Sequence, residues 1–259
     1  MNLPLRCIIN EENLSVAWAK TFLEAVEKHR SDLSPLFLTV HGFDRGVVKE
    51  DPEIRGALDR YLETDCNIDC NTVANTIFPR SLWNPNKSRK QLFERYIKIL
   101  PWVRKCPANR YGVYFERLIA FEKNGKNVNQ LEHIIHTYLE GNHRISALQA
   151  IIFDPLKDHT NQRQRGFPCL QSVAFNLIGK DGLSITGFYP HQHLVKKAYG
   201  NYLGLCRLGE FMAHEFRREL VEMTCVVGKE KLEVSMNTVT QLAQILKSRL
   251  TQLAEGEYK

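Results

Sequence analysis

No stretch of this 259-residue chain approaches the ~18–20 consecutive apolar residues of a membrane-spanning helix, so no membrane partner is expected. The N-terminus, Met1-Asn-Leu-Pro-Leu-Arg-Cys7, lacks a charged segment followed by a long apolar run, and no signal peptide is expected. Internal repeats, low-complexity tracts and linkers are lacking too, so residues 1–259 read as a single domain. Cys66 and Cys70 lack a second pair at zinc-site spacing, and no metal is expected there. Seven cysteines, an odd number, indicate reduced thiols and a cytoplasmic location. Strong charge bias is also missing. The net charge of +6 suits an anionic ligand, but basic pairs such as Lys196-Lys197 and Arg217-Arg218 are scattered and read as solvated helix faces. That argues against a nucleic-acid partner.

What is present reads as an α/β (α+β) chain. Leu14, Trp18, Phe22 and Val26 recur every fourth residue and predict a helix over 14–29. Pro35 to Val40 predicts a strand and Glu53 to Leu62 a second helix. Asp65 to Asn86, rich in Asn, Cys and Pro, reads as loop. Leu131, Ile134, Ile135, Tyr138 and Leu139 share one helical face, with Asn129 to cap it and Gly141 to end it. Ala147 to Phe153 reads as a buried strand, and Gly179-Lys-Asp-Gly182 as the turn of a hairpin. A long helical pattern follows from about Leu194 to Leu220, and Leu242, Ile245, Leu246 and Leu253 line a last helix.

Cys169, directly after Pro168 at the mouth of an apolar strand, is a candidate nucleophile. Around it, residues 127–246 resemble the thymidylate synthase and pyrimidine hydroxymethylase family. The resemblance rests on order and spacing: a helix over 130–141, Phe153-Asp154-Pro155, then Pro168-Cys169. Upstream, Tyr111-Gly112 followed by Arg117 looks like a family stretch. Downstream, Phe188-Tyr189, Leu203-Gly-Leu205 and Gly228 fall in similar places. The resemblance implies a mixed sheet packed with helices, a homodimer, and 5,10-methylenetetrahydrofolate as one-carbon donor. It implies that Cys169 adds to C6 of a pyrimidine nucleotide or nucleoside, so that C5 can take a methyl or hydroxymethyl unit. Val173, Phe175 and Leu177 are the expected dimer face. The thiol is expected to be activated by His191 and the basic run Arg163-Gln-Arg165.

Elsewhere the chain departs from the family. Pro190-His191-Gln192 stands where the family binds phosphate with Arg-Ser, which makes His191 and Gln192 substrate-binding candidates. Cys206-Arg207-Leu208 offers no amide to read the base, and Asn201 is the alternative. Arg144 and Arg165 are candidate phosphate ligands. Lys231 and Glu233 replace the residues that hold the sugar, and a carboxylate at Glu233 suits a ribose diol. Leu170 replaces the histidine that follows the nucleophile in the best-known members, and the folate-covering C-terminal lid reads as short. His191-x-His193 also reads as a pair of metal ligands, with the two rings expected on opposite faces. Two function classes stay open: a C5 one-carbon transferase, and a catalytically degenerate subunit that senses nucleotides or binds partners.

Overall fold

The computed structural model describes residues 6–27, 32–66, 68–123, 125–141, 143–161 and 167–256, with side chains of 65 and 66 left aside. Its strands are β1 (Cys7–Glu11), β2 (Asp32–Leu33), β3 (Leu36–Val40), β4 (Phe43–Asp44), β5 (Val47–Val48), β6 (Phe121–Lys123), β7 (Lys126–Val128), β8 (Gln149–Ile151), β9 (Ser172–Ile178), β10 (Gly182–His193) and β11 (Glu219–Lys231). Its helices are α1 (Leu14–Glu27), α2 (Pro52–Cys66), α3 (Cys70–Ile77), α4 (Arg89–Val103), α5 (Tyr114–Ile119), α6 (Gln130–Glu140), α7 (Pro155–Asp158), α8 (Tyr199–Glu215) and α9 (Met236–Gly256). No helix among the described residues is long and apolar enough to cross a membrane.

The main sheet runs β1-β3-β11-β10-β9-β8, with β2 pairing on β11. β1/β3 and β10/β11 are parallel, and the other neighbours are antiparallel. The chain is therefore a mixed α/β fold with helices packed on a mixed sheet, as expected. The hairpin turn falls between β9 and β10, and Asn129 and Gly141 bound α6 as predicted, the Asn129 side chain accepting from the Glu132 N–H at 2.9 Å.

Two expectations fail for visible reasons. The predicted loop over 65–86 contains α3. Its polar composition hides a cap and a buried stripe: Asp69 accepts from the Thr72 amide at 2.8 Å, while Val73, Ala74 and Ile77 are buried. The long helical pattern from Leu194 breaks into a π-helical turn (Leu194–Ala198), α8, and the first residues of β11. Leu220 is apolar because it enters the sheet, not because the helix continues.

α3 and α8 lie in close contact. A Cβ on Gly200 would come within 2.5 Å of Val73 Cβ, and one on Gly204 within 2.9 Å of the Ala74 carbonyl oxygen. Aromatic rings lock the same helices further along: Phe78 stacks on Phe211 at 5.3 Å, and Phe115 meets Phe78 edge-on at 5.6 Å. This packing fixes the start of α8, which carries Asn201 into the site.

The sheet has one covered and one open face. Of Val173, Phe175 and Leu177, expected together as a dimer face, Val173 and Phe175 point into the core with 0% and 1% exposure, and Leu177 is exposed. Strand alternation puts Ser172, Ala174 and Asn176 outward instead.

Candidate functional site

Cys169 sits just before β9 and is pinned by Gln171. The Gln171 N–H donates to the Phe188 carbonyl at 2.9 Å, and its carbonyl accepts from the Ile152 and Phe153 amides at 2.8 and 3.2 Å. Its side-chain Nε2 donates to the carbonyls of Pro168 and Cys169 at 3.1 and 3.4 Å. The Cys169 N–H in turn donates to the Tyr114 hydroxyl of α5 at 3.4 Å. The half-buried cysteine lines a cavity of about 250 Å³ together with Tyr114, His191, Gln192, His193, Lys197 and Asn201.

Burial, not a cation, dominates the thiol. It pushes Cys169 above the ordinary cysteine range, against the pull of the Lys197 ammonium and the Tyr114 hydroxyl. The expected activation by His191 is thus not what the geometry gives. Lys197 is the cation whose field reaches the sulfur, and Arg163 and Arg165 lie outside the described residues. Burial lowers Lys197 in its turn, against the attraction of a Cys169 thiolate and of Glu233. Tyr114 is raised, first by burial and then by the neighbouring thiolate. Desolvation draws all three groups toward their neutral forms, while thiolate–ammonium attraction works the other way.

A kink in two paired strands builds the rest of the wall. Along β10 the buried residues are odd-numbered from Ile185 through Tyr189, and along β11 from Met223 through Val227. At Pro190 and Gly228 both strands change phase, and the register resumes as His191↔Lys229, Gln192↔Glu230 and His193↔Lys231. The strands press together here: a Cβ on Gly228 would lie 2.8 Å from the Pro190 carbonyl oxygen. The phase change turns Gln192 and Glu230 inward, at 2% and 0% exposure. Both polar atoms of the Gln192 amide, the Tyr189 hydroxyl and Glu230 Oε1 are buried without a partner. The Tyr202 hydroxyl donates to Glu230 Oε2 at 3.5 Å, and burial pushes the Glu230 carboxyl well above its ordinary range.

His191 and His193 do not diverge. Residues two apart on a strand share a side, and the two rings meet edge to face at 5.2 Å. No group of three or more His, Cys, Asp or Glu among the described residues is placed to hold a metal.

The structure gathers Cys169, His191, Gln192 and Asn201 around one cavity and leaves other candidates out. Arg144 is exposed on a turn before β8 and does not line the cavity. Lys231 is exposed at the end of β11. Glu233 accepts from the backbone amides of Val195 and Lys196 at 3.3 and 2.6 Å, so both carboxylate oxygens hold the π-helical turn. The Trp18 indole N–H donates to the Leu194 carbonyl at 2.9 Å and secures the turn from α1. Glu233 therefore holds the turn that carries Lys197, and it does not line the cavity. Sequence reasoning missed Tyr114 and the role of Lys197. The only signals were Tyr111-Gly112 three residues before Tyr114 and the extra length between Tyr189 and Leu203.

No protein-family model matches the chain, and a search of the curated proteins gives no match. The resemblance to thymidylate synthases thus enters below through the site alone.

Proposed function

We propose that the chain forms a Cys169 adduct at C6 of a pyrimidine, and that C5 then attacks a one-carbon electrophile. The observation that carries this reading is the grouping of a pinned thiol, the Lys197 ammonium, the Tyr114 hydroxyl and an unpaired amide around one cavity. The Cys169 sulfur pair forms the S–C6 bond, and the C5–C6 π electrons move toward the C4 oxygen. C5 becomes enolate-like and attacks the electrophile. Loss of the C5 proton and departure of the thiolate restore the ring. Tyr114 is the hydroxyl nearest the sulfur to carry a proton, and Lys197 supports the thiolate.

The cavity of about 250 Å³ lies below the usual ~300–1,000 Å³ of ligand pockets and takes a base with its sugar, not a pterin stacked beside them. Methylenetetrahydrofolate therefore has no part in these steps. Exchange of the C5 hydrogen with solvent needs only the adduct and no donor, and it tests the reading directly. Wild-type protein should exchange the C5 hydrogen of a uracil or cytosine nucleoside, and Cys169→Ala should not. Equal rates in both, or no exchange by either, would overturn the enzymatic reading. The non-catalytic alternative draws on the raised thiol. Its signature is thermal stabilisation by a pyrimidine ligand without exchange.

The homodimer belongs to the same proposal, on a different set of residues. On the open face, Ile8, Phe37, Val226, Phe188, Ser172 and Ile151 stand in register across six strands. Beside them run Asn10, Thr39, Thr224, Thr186, Ala174 and Gln149. Neither row holds a charge, and Ile8 is 74% and Phe188 41% exposed. Such a surface suits burial against a second copy. Light scattering should give a dimer mass at micromolar concentration, and Phe37→Asp with Phe188→Asp should give a monomer. A monomeric wild type would refute the assembly.

A further inference from the structure

We propose that Gln192 is the residue that reads the base, and that it reads both pyrimidine edges, so that this pocket accepts uracil-type and cytosine-type rings alike. The inference rests on the pyrimidine reading above and names its substrate class more closely. Gln192 lines the Cys169 cavity, is 2% exposed, and keeps both Nε2 and Oε1 buried without a partner. A buried amide left in that state loses its hydrogen bonds to water and regains none. A ligand with an adjacent donor and acceptor restores both at once.

Uracil offers N3–H as donor beside O4 as acceptor. Cytosine offers the reverse, N3 as acceptor beside the N4 amino group. A carboxamide matches either edge, and the choice is a half-turn about its terminal bond. Proteins fix that choice by holding the amide oxygen or nitrogen with another group, and here neither atom is held. Glu230, paired with Gln192 in the strand register, makes no hydrogen bond to the amide, and so imposes no direction. On α8, Cys206 is buried in the core and Arg207 donates to Asn71 at 2.6 Å, so that part of the helix leaves the cavity unread. Asn109 and Asn201 are the other amides on the wall; the Asn109 Nδ2 donates to the Val103 carbonyl at 3.0 Å, and Asn201 serves as the control.

Uridine and cytidine should be titrated by calorimetry into wild type, Gln192→Met and Asn201→Leu, with C5 exchange followed in parallel. The two wild-type affinities should agree within about tenfold. Gln192→Met should weaken both by about 10- to 100-fold, the worth of one two-bond base contact. The ligand-free variant should melt no lower than wild type, because an apolar side chain of similar shape replaces an unpaired amide. A wild-type preference above about 100-fold for one base would overturn the two-edge claim. Unchanged affinities in Gln192→Met, with both lost in Asn201→Leu, would overturn the assignment itself. Binding that depends on Gln192 without C5 exchange would support the assignment and sink the catalytic reading. Failure of wild type to bind either nucleoside would sink both.

Discussion

The floor and the rim of the cavity are built from different chemistry. Its floor holds Cys169, Tyr114, Gln192 and Asn201, groups that are neutral or drawn toward neutrality by burial. Its rim holds His191 and His193, with Lys196, Lys231 and Glu233 close enough to act on His193. The floor can recognise a ring through short hydrogen bonds that salt does not screen. The rim can act only through charges that salt and pH modulate. On the proposed reading the ring sits at the floor beside Cys169, and a phosphate or sugar sits at the rim. Such a division suits the proposed ligand, with its ring read at the floor and its tail held at the rim.

The sharpest way to break this comparison is at Tyr114. Tyr114→Phe removes a hydroxyl beside the sulfur and leaves the ring contact with Phe167, at 5.3 Å, in place. Exchange at saturating nucleoside should fall about 100-fold, the lower end for a positioned proton carrier, with the dissociation constant within about threefold of wild type. A loss confined to affinity would make Tyr114 a binding residue and remove the proton role.

Lys197 links floor and rim, and its effect should be smaller. Lys197→Met leaves burial of the thiol unopposed by the ammonium, so alkylation of Cys169 by limiting iodoacetamide at pH 7.5 should slow about tenfold, one unit of pKa. In wild type the alkylation rate should still climb above the ordinary thiol range of about 8.5, because the folded chain holds this proton more tightly than the unfolded chain. By the same sign, the neutral thiol contributes stability below that range, and the contribution is lost as pH rises through the folded value. A plateau in the alkylation rate below pH 8 would contradict the raised thiol.

Much of the fold could be read from the sequence because periodicity and punctuation agreed. Leu14, Trp18 and Phe22 formed their helix, Asn129 capped α6, and the turn at 179–182 joined β9 to β10. The site was legible only where a residue type announced itself, as at Cys169. His191, Gln192 and Asn201 were placed at the cavity, but not their roles. The change of phase at Pro190 and Gly228 depends on two strands pressing together across 38 residues of chain, and no local pattern encodes it. For the same reason Glu233 read as a sugar ligand. Its real partners, the amides of Val195 and Lys196, belong to a turn whose π-helical shape the periodicity did not reveal. Val173 and Phe175 read as outward, but they lie on the side of β9 that faces the core, and of the expected face only Leu177 is exposed.

The smallest effect should come from the rim. His193 is held below the ordinary histidine range, first by burial and then by His191, Lys231 and Lys196, with Glu233 pulling the other way. The ring is therefore neutral at pH 7.5 and gains its proton only below about 6.5. A monophosphate should bind less than about tenfold better than its nucleoside at pH 7.5, since imidazole cannot form the planar fork that guanidinium offers a phosphate. That advantage should grow at pH 5.5 and shrink with added salt, while nucleoside binding changes with neither. The sign for stability is opposite. A histidine with a lowered folded value stabilises the fold above the unfolded value of about 6.5, and that stability is lost as pH falls. The melting temperature must therefore be checked at pH 5.5 before affinities are compared. Arg144→Ala should leave the monophosphate advantage unchanged, because the residue is exposed and away from the cavity. A large advantage that persists from pH 5.5 to 7.5 would mean that permanently charged groups hold the phosphate, and the contrast between a neutral floor and a titrating rim would fall.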